Sequence, residues 1–266
     1  MTLPILELKN ISVSFGGVRA VQDISLRIDK AEFIGLIGPN GAGKTTIFNL
    51  ITNSVQPTSG QILFNGKNIT GLSPDRINHL GISRTFQNIR LFQNMTVFDN
   101  VAMGMYSRTM YSLLDAFLQT SRAQKADRDV RRRTGELLEL VGLENLSSEK
   151  AGSLPYGKQR RLELARALAS EPALLLLDEP AAGMNEEECA DLVRLIRGIH
   201  QSYGQTILLI EHHMNVVMEL CADYRIYVLH LGQILASGTP EEIQRNPEVI
   251  RAYLGERSVR NAAASA

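Results

Sequence analysis

The chain has 266 residues, of which 44% are hydrophobic and 21% charged, as is ordinary for a soluble globular protein. Lys+Arg and Asp+Glu both total 28, so the zero formal net charge gives no electrostatic reason to expect a nucleic-acid partner. The N-terminus lacks the basic and apolar regions of a signal peptide, and no stretch approaches the ~18 apolar residues of a membrane span. We therefore expect a chain that is soluble by itself and reaches a membrane only through a partner. Cys189 and Cys221 form no metal or redox motif and are expected to be buried thiols in a reducing compartment.

The first segment predicts a pair of strands. Apolar and polar residues alternate over residues 5–15 and 21–28, around the turn at Gly16-Gly17, which favours antiparallel strands. Phe15 has two interpretations. It either stacks on an adenine, a contact worth ~1–3 kcal/mol by analogy with base stacking, or it is an aromatic residue buried in the sheet.

The next stretch predicts a phosphate-binding loop. The apolar run Phe33–Ile37 leads into a glycine-rich turn and then a helical pattern, and residues 38–45 fit the motif G-x-x-x-x-G-K-[ST]. Glycines let successive N–H groups curl around an oxyanion, and the helix N-terminus adds partial positive charge. We expect Lys44 to reach the β- and γ-phosphates, and the Thr45 hydroxyl to complete a Mg²⁺ shell.

The middle of the chain is expected to leave the core. Residues 81–87 predict a strand that ends in Gln87, and residues 87–100 an irregular loop. Its apolar residues either fold into a local core or form a docking surface for a partner; they are Ile89, Leu91, Phe92, Met95, Val97 and Phe98.

A helical lobe is then predicted over residues 101–150. The stretch from Arg122 to Arg133 holds six basic and two acidic residues, and it is interpreted as a solvated helix face, with anionic lipid headgroups as the lesser alternative. Residues 153–169 predict a loop followed by a helix, with Pro155 at its first turn.

Two buried strands carry the candidate catalytic residues. The wholly apolar run at 173–177 predicts a central parallel strand, and it ends in Asp178 and Glu179, where open α/β sheets bind ligands. We expect Asp178 to hold Mg²⁺ through water and Glu179 to act as general base; the alternative is that both are helix-capping residues. The strand at 206–210 leads to His212 at the same edge, a candidate γ-phosphate contact.

A hairpin and a capped helix at 239–242 complete the fold.

In this order, the motifs resemble those of the ATP-binding-cassette (ABC) ATPases over residues 5–255. Within that family the chain is most similar to the LivG-type subunit of bacterial branched-chain amino-acid importers. The resemblance implies an α/β P-loop NTPase core with a mostly parallel sheet, an N-terminal antiparallel β-subdomain and an inserted helical subdomain. The core would comprise residues 1–87 and 161–255, the helical subdomain residues 88–160, and residues 256–266 a flexible tail.

The resemblance also implies the site residues. ATP would be bound by Phe15, Gly38, Asn40, Gly41, Gly43, Lys44, Thr45 and Thr46, and a partner's ATP by Gly157 of the signature motif. Mg²⁺ would be held by Thr45, Gln87 and Asp178. Catalysis would depend on Glu179, His212, Gln87 and Lys44.

The family works as a head-to-tail pair, so the implied partners are a second ABC ATPase subunit and two transmembrane permease subunits. A substrate-binding protein outside the membrane would be an indirect partner, and the chain would lie at the cytoplasmic face. The signature departs from the usual Ser-Gly-Gly-Gln, with Pro155-Tyr156-Gly157-Lys158 at these positions, and Asn185 replaces the usual D-loop aspartate. We hypothesise a weaker ATP site at this signature, which suits a heterodimer.

Three other functions share parts of this pattern. A lipid or lipopolysaccharide exporter would carry every catalytic motif, and only its membrane partner would differ. A soluble ABC ATPase acting on DNA or the ribosome usually has two cassettes or a long coiled coil, neither of which is present. A regulatory module without turnover is disfavoured by the intact Glu179 and His212.

Overall fold

Two β-sheets share one core in a computed structural model of the chain, which describes residues 3–106 and 120–253. The expected tail at 256–266 and part of the expected lobe lie outside these residues. The strands are β1 (Leu6–Phe15), β2 (Val18–Ile28), β3 (Phe33–Ile37), β4 (Ser59–Phe64), β5 (Lys67–Asn68), β6 (Ile82–Arg84), β7 (Leu174–Asp178), β8 (Thr206–Ile210), β9 (Ile226–His230) and β10 (Gln233–Gly238).

The larger sheet carries the site. Its order is β10-β9-β3-β8-β7-β6, and all neighbours pair in parallel except β9 and β10. Every residue of β3, β7 and β8 is buried, because helices cover both faces, as the uninterrupted apolar runs predicted. The carboxyl ends of these three strands therefore meet at one edge.

The smaller sheet is antiparallel throughout, in the order β2-β1-β4-β5. Its inner face packs against the phosphate-loop helix, and Leu8, Ile24 and Phe48 share one apolar cluster. The β1–β2 pairing around the glycine turn confirms the predicted hairpin. The second strand begins at Val18, three residues earlier than predicted.

The helices are α1 (Lys44–Ile51), α2 (Pro74–Leu80), α3 (Val97–Tyr106), α4 (Ser121–Leu140), α5 (Tyr156–Ala169), α6 (Glu186–Tyr203), α7 (Met214–Leu220) and α8 (Pro240–Arg245). Helical residues also occur at 247–253. Helices α3, α4 and α5 enclose a separate apolar cluster that includes Val101, Leu138 and Leu162. Thr239 forms the predicted capping box of α8.

Three local expectations were wrong. Strand β6 ends at Arg84 rather than Gln87, because the chain leaves its neighbour β7 there. The loop after Gln87 was expected to reach residue 100, but α3 already begins at Val97. Of the apolar residues in this segment, Val97 is fully buried in the core and Phe92 is 49% exposed at the surface. Cys221 is buried as expected, but Cys189 is only partly buried on α6.

Candidate functional site

The phosphate-binding loop connects β3 to α1. Gly43 precedes the helix with φ 105°, in the left-handed region, and no side chain caps the first helical turn, so its N–H groups remain available to an anion. The Lys44 Nζ donates to the carbonyl oxygens of Gly38 (2.7 Å) and Pro39 (3.1 Å) across the loop. Burial lowers the pKa of this ammonium, and the nearby Glu179 and Asp178 carboxylates raise it in part.

The residues expected to surround the phosphates differ in exposure. Asn40, Gly41 and Thr45 are exposed, and Thr46 is partly buried. Gly38 is fixed by close backbone packing, since an added Cβ would collide with the carbonyl oxygen of Leu229.

Glu179 follows β7 directly and is the centre of a polar cluster. Its backbone φ is 47°, a conformation that non-glycine residues rarely adopt and that surrounding structure must hold. The Gln87 Nε2 donates to Glu179 Oε2 at 2.7 Å, and the His212 Nδ1 lies 3.5 Å from the same oxygen. Residues of three motifs, spread over positions 87 to 212 of the chain, thus meet at one carboxylate, and Lys44 is close enough to feel its charge.

Asp178 is bound on one side by an arginine that the sequence analysis did not identify. The Arg84 Nη2 lies 2.6 Å from Asp178 Oδ2, and both side chains are almost fully buried. The other carboxylate oxygen, Oδ1, accepts no hydrogen bond from the described residues.

A second overlooked carboxylate supports the histidine. Glu211 is fully buried at the end of β8, and its oxygens accept from the backbone N–H groups of Ala181 (2.9 Å), His212 (3.0 Å) and His213 (3.2 Å). It therefore joins the segment after Glu179 to the histidine turn. A charged residue directly after an apolar strand was the available signal.

The Gln87 segment is held from behind by helix α5. The Arg160 Nη1 donates to Phe86 O at 2.6 Å and its Nη2 donates to Gln87 O. Glu163, one turn later, accepts from Arg160 Nη1 at 3.0 Å and from the backbone N–H groups of Phe86 and Arg90. The i, i+3 spacing of two opposite charges was visible in the sequence, but not their burial.

The signature segment forms the start of α5. The Tyr156 hydroxyl donates to Ala182 O at 3.0 Å and accepts from Arg160 Nη2 at 3.1 Å. Gly157 lies against Glu188, which belongs to the capping box that Asn185 forms at the start of α6. Ala182 and Glu188 thus connect this segment to the chain that follows Glu179 and to the start of α6.

Phe15 ends β1 and is 48% exposed, so the interpretation as a buried sheet aromatic was wrong. The capping interpretation of Asp178 and Glu179 was also wrong, since Asn185 caps the helix that follows them.

The donor set at this edge suits a magnesium ion. The Thr45 hydroxyl, the Gln87 carboxamide and the Asp178 carboxylate all offer oxygen, the ligand type that Mg²⁺ prefers. Asp178 Oδ1, with no hydrogen bond from the described residues, is the ligand atom that best fits this ion.

Within residues 3–106 and 120–253, no helix combines the length and apolar character needed to cross a bilayer.

Comparison with known proteins identifies the chain's relatives. The family model described as ABC transporter matches residues 21–182, and a second, described as branched-chain amino acid ATP-binding cassette transporter, matches residues 233–258. The chain is 43% identical to the high-affinity branched-chain amino acid transport ATP-binding protein LivG of Escherichia coli K12, across 96% of this chain and 100% of LivG. It is 34% identical to the lipopolysaccharide export system ATP-binding protein LptB of the same organism, across 94% and 97%. A solved ATP-binding cassette of an ABC transporter in its ADP conformation matches with a TM-score of 0.81 and 32% identity, across 96% and 100%.

Proposed function

This chain belongs to the ABC transporter ATP-binding family, and we propose that it powers an importer of branched-chain amino acids by hydrolysing ATP. The observation that carries the proposal is the convergence of Gln87, Glu179 and His212 beside Lys44. The choice of cargo rests on the greater similarity to LivG than to LptB and on the matched C-terminal segment at 233–258.

In this proposal the loop after β3 binds the triphosphate. No side chain caps the first turn of α1, so its N–H groups are free to donate to the phosphates, and Lys44 would exchange its two carbonyl contacts for phosphate oxygens. The exposed ring of Phe15 would stack on the adenine.

Glu179 would accept a proton from the attacking water. Gln87 and His212 both contact the Glu179 carboxylate and would orient it, and His212 would also contact the γ-phosphate. A magnesium ion, when bound by Thr45, Gln87 and Asp178, supplies charge neutralisation at the β- and γ-phosphates. A base held in a strained conformation at a strand end suits a preorganised site.

We propose that two cassettes pair head to tail, with Gly157 at the start of α5 facing the partner's ATP. Pro155 lacks an N–H donor and Tyr156 is bonded to Ala182 within its own chain. Neither supplies the serine hydroxyl usual in the family, so this half of the pair would be the weaker ATP site.

The partners would include two permease subunits, and the chain would lie at the cytoplasmic face of the membrane. Phe92 and Met103 are 49% and 44% exposed and line the same cavity as Arg84 and Arg166, close to the Gln87 segment. An apolar surface at this place suits a permease contact. The division into a core, residues 1–87 and 161–255, and a helical subdomain, residues 88–160, remains part of the proposal.

ATP hydrolysis is tested by two variants of the purified chain. Glu179→Gln should abolish turnover while nucleotide binding persists and a dimer accumulates with ATP. Lys44→Ala should lose nucleotide binding itself. Unchanged turnover in Glu179→Gln would refute the assignment of the base.

The cargo is tested by purifying the chain from membranes with its permease. We expect ATP turnover by the reconstituted complex to rise with a leucine-loaded binding protein and not with lipopolysaccharide. Stimulation by lipopolysaccharide instead would make the chain an exporter subunit. Equal hydrolysis at both sites of the complex would contradict the weaker-site proposal.

A further inference from the structure

We propose that Arg84 is a positioning residue that holds Asp178 in place for the metal ion and weakens the metal affinity of the site by its charge. The inference rests on the proposed function, because it concerns the ion that accompanies ATP. Arg84 is the last residue of β6 and belongs neither to the phosphate loop nor to the carboxylates that follow β7.

Both terminal nitrogens of the Arg84 guanidinium are hydrogen-bonded. One end of its fork donates to Asp178 Oδ2 (2.6 Å) and the other to Asn49 Oδ1 (2.7 Å). Its central carbon lies 5.4 Å from the centre of the Phe48 ring and 5.1 Å from that of Phe86. A planar group with two hydrogen-bonded partners and two neighbouring rings has little freedom to rotate.

Through Asn49, this arginine ties the strand-end carboxylate to the phosphate-loop helix. Asn49 follows Thr45 by four residues on α1, so the two side chains share a helix face one turn apart. Arg84 therefore fixes the Asp178 carboxylate relative to the face that carries the Thr45 hydroxyl. One oxygen of Asp178 is occupied, and Oδ1 is left to coordinate.

The charge of Arg84 has a second consequence. The side chains of Arg84 and Asp178 are nearly excluded from water. Charges interact more strongly in such a dry environment than they do in solvent. A fixed positive charge on the carboxylate reduces the attraction of the site for a divalent cation. Geometry and charge can be separated experimentally, because lysine keeps the charge without the fork and methionine keeps neither.

The test uses the full chain with a non-hydrolysable ATP analogue, titrated with Mn²⁺ and monitored by electron paramagnetic resonance. We compare wild type with Arg84→Met, Arg84→Lys and the control Arg90→Met. Arg90 is a fitting control because its guanidinium also packs on Phe86, at 4.2 Å, and it is exposed. ATP turnover with Mg²⁺ is measured for the same proteins.

We expect Arg84→Met to bind Mn²⁺ at least about threefold more tightly, because a nearby positive charge is gone. Arg84→Lys should keep the wild-type Mn²⁺ affinity, both Arg84 variants should lose turnover, and Arg90→Met should match wild type. Mn²⁺ binding by Arg84→Met that is unchanged or weaker, or a shift in Arg84→Lys as large as in Arg84→Met, overturns the electrostatic part.

The positioning part has its own variant, which also serves if Arg84→Met does not fold. Asn49→Ala leaves the ion pair but removes the tether to α1, so turnover should fall at unchanged Mn²⁺ affinity. Wild-type turnover in Asn49→Ala overturns this part. If wild type binds no Mn²⁺ with nucleotide, the proposed ATPase function fails, which is distinct from a failure confined to the variants.

Discussion

Replacing Arg160 by methionine tests how the Gln87 segment is held. The side chains of Arg160 and Glu163 are 2% and 3% exposed. They form an ion pair, and each also hydrogen-bonds to the backbone around Gln87. Methionine fills similar space but donates nothing. The substitution therefore leaves a buried carboxylate without its cation, and two carbonyl oxygens without their donor.

Breaking a buried ion pair from one side costs about 3–5 kcal/mol of unfolding free energy, because the remaining charge stays desolvated. Burial raises the pKa of the Glu163 carboxyl above its ordinary 4.5, while Arg160 opposes the rise. A raised carboxyl pKa contributes stability below pH 4.5 that is lost as pH rises through the folded-state pKa. Removing Arg160 raises that pKa further, so the deficit should be larger at pH 8 than at pH 5.

The assay is urea unfolding of wild type and Arg160→Met at both pH values. Arg161→Met is the matched control, because Arg161 pairs with Asp191 in a partly exposed setting (29% and 37%) and should cost only about 0–1 kcal/mol. Combining Arg160→Met with Glu163→Gln should recover much of the loss. A cost no larger than that of Arg161→Met, or a deficit independent of pH, would refute this reasoning.

The remaining predictions concern a single hydroxyl and the two thiols. Tyr156→Phe removes the hydrogen bond to Ala182 O and should lower the unfolding free energy by at most about 1 kcal/mol. We expect ATP turnover to fall while nucleotide affinity is unchanged. Wild-type turnover would contradict a role for this hydrogen bond in catalysis. Burial raises the pKa of Cys221 to about 12 and also raises that of the less buried Cys189. Since the thiolate is the reactive form, maleimide at pH 7.5 should label folded protein at Cys189 before Cys221, as peptide mass mapping would show; equal rates would contradict this.

Much of the fold was predictable because its signals are local. The uniform apolar runs of β3, β7 and β8 specified strands buried on both faces, and the structure has them in adjacent positions. The Gly43-Lys44 turn predicted the start of α1, and the capping residue Thr239 predicted the start of α8. Boundaries that depend on a neighbouring strand were less predictable, as the early end of β6 at Arg84 illustrates.

The candidate site divides in the same way. Lys44, Glu179 and His212 each follow a parallel strand of the larger sheet, whose carboxyl ends meet at one edge, so their convergence could be expected. The Arg84–Asp178 contact joins residues 94 apart, and Arg160 meets Gln87 across 73. No periodicity or spacing reports such pairs.

By itself, the order of residues determined which segments become strands, where the phosphate loop lies and which carboxylates end the central strand, because backbone conformation and burial pattern follow from neighbouring side chains. Only the tertiary structure decided that Arg84 forms an ion pair with Asp178 and that Arg160 donates to the backbone at Gln87. It also decided that the Tyr156 hydroxyl donates to Ala182 O within its own chain. The reason is that the free energy of a charge or hydroxyl depends on which distant groups share its dry surroundings, and these are assembled only when the sheets and helices close around them.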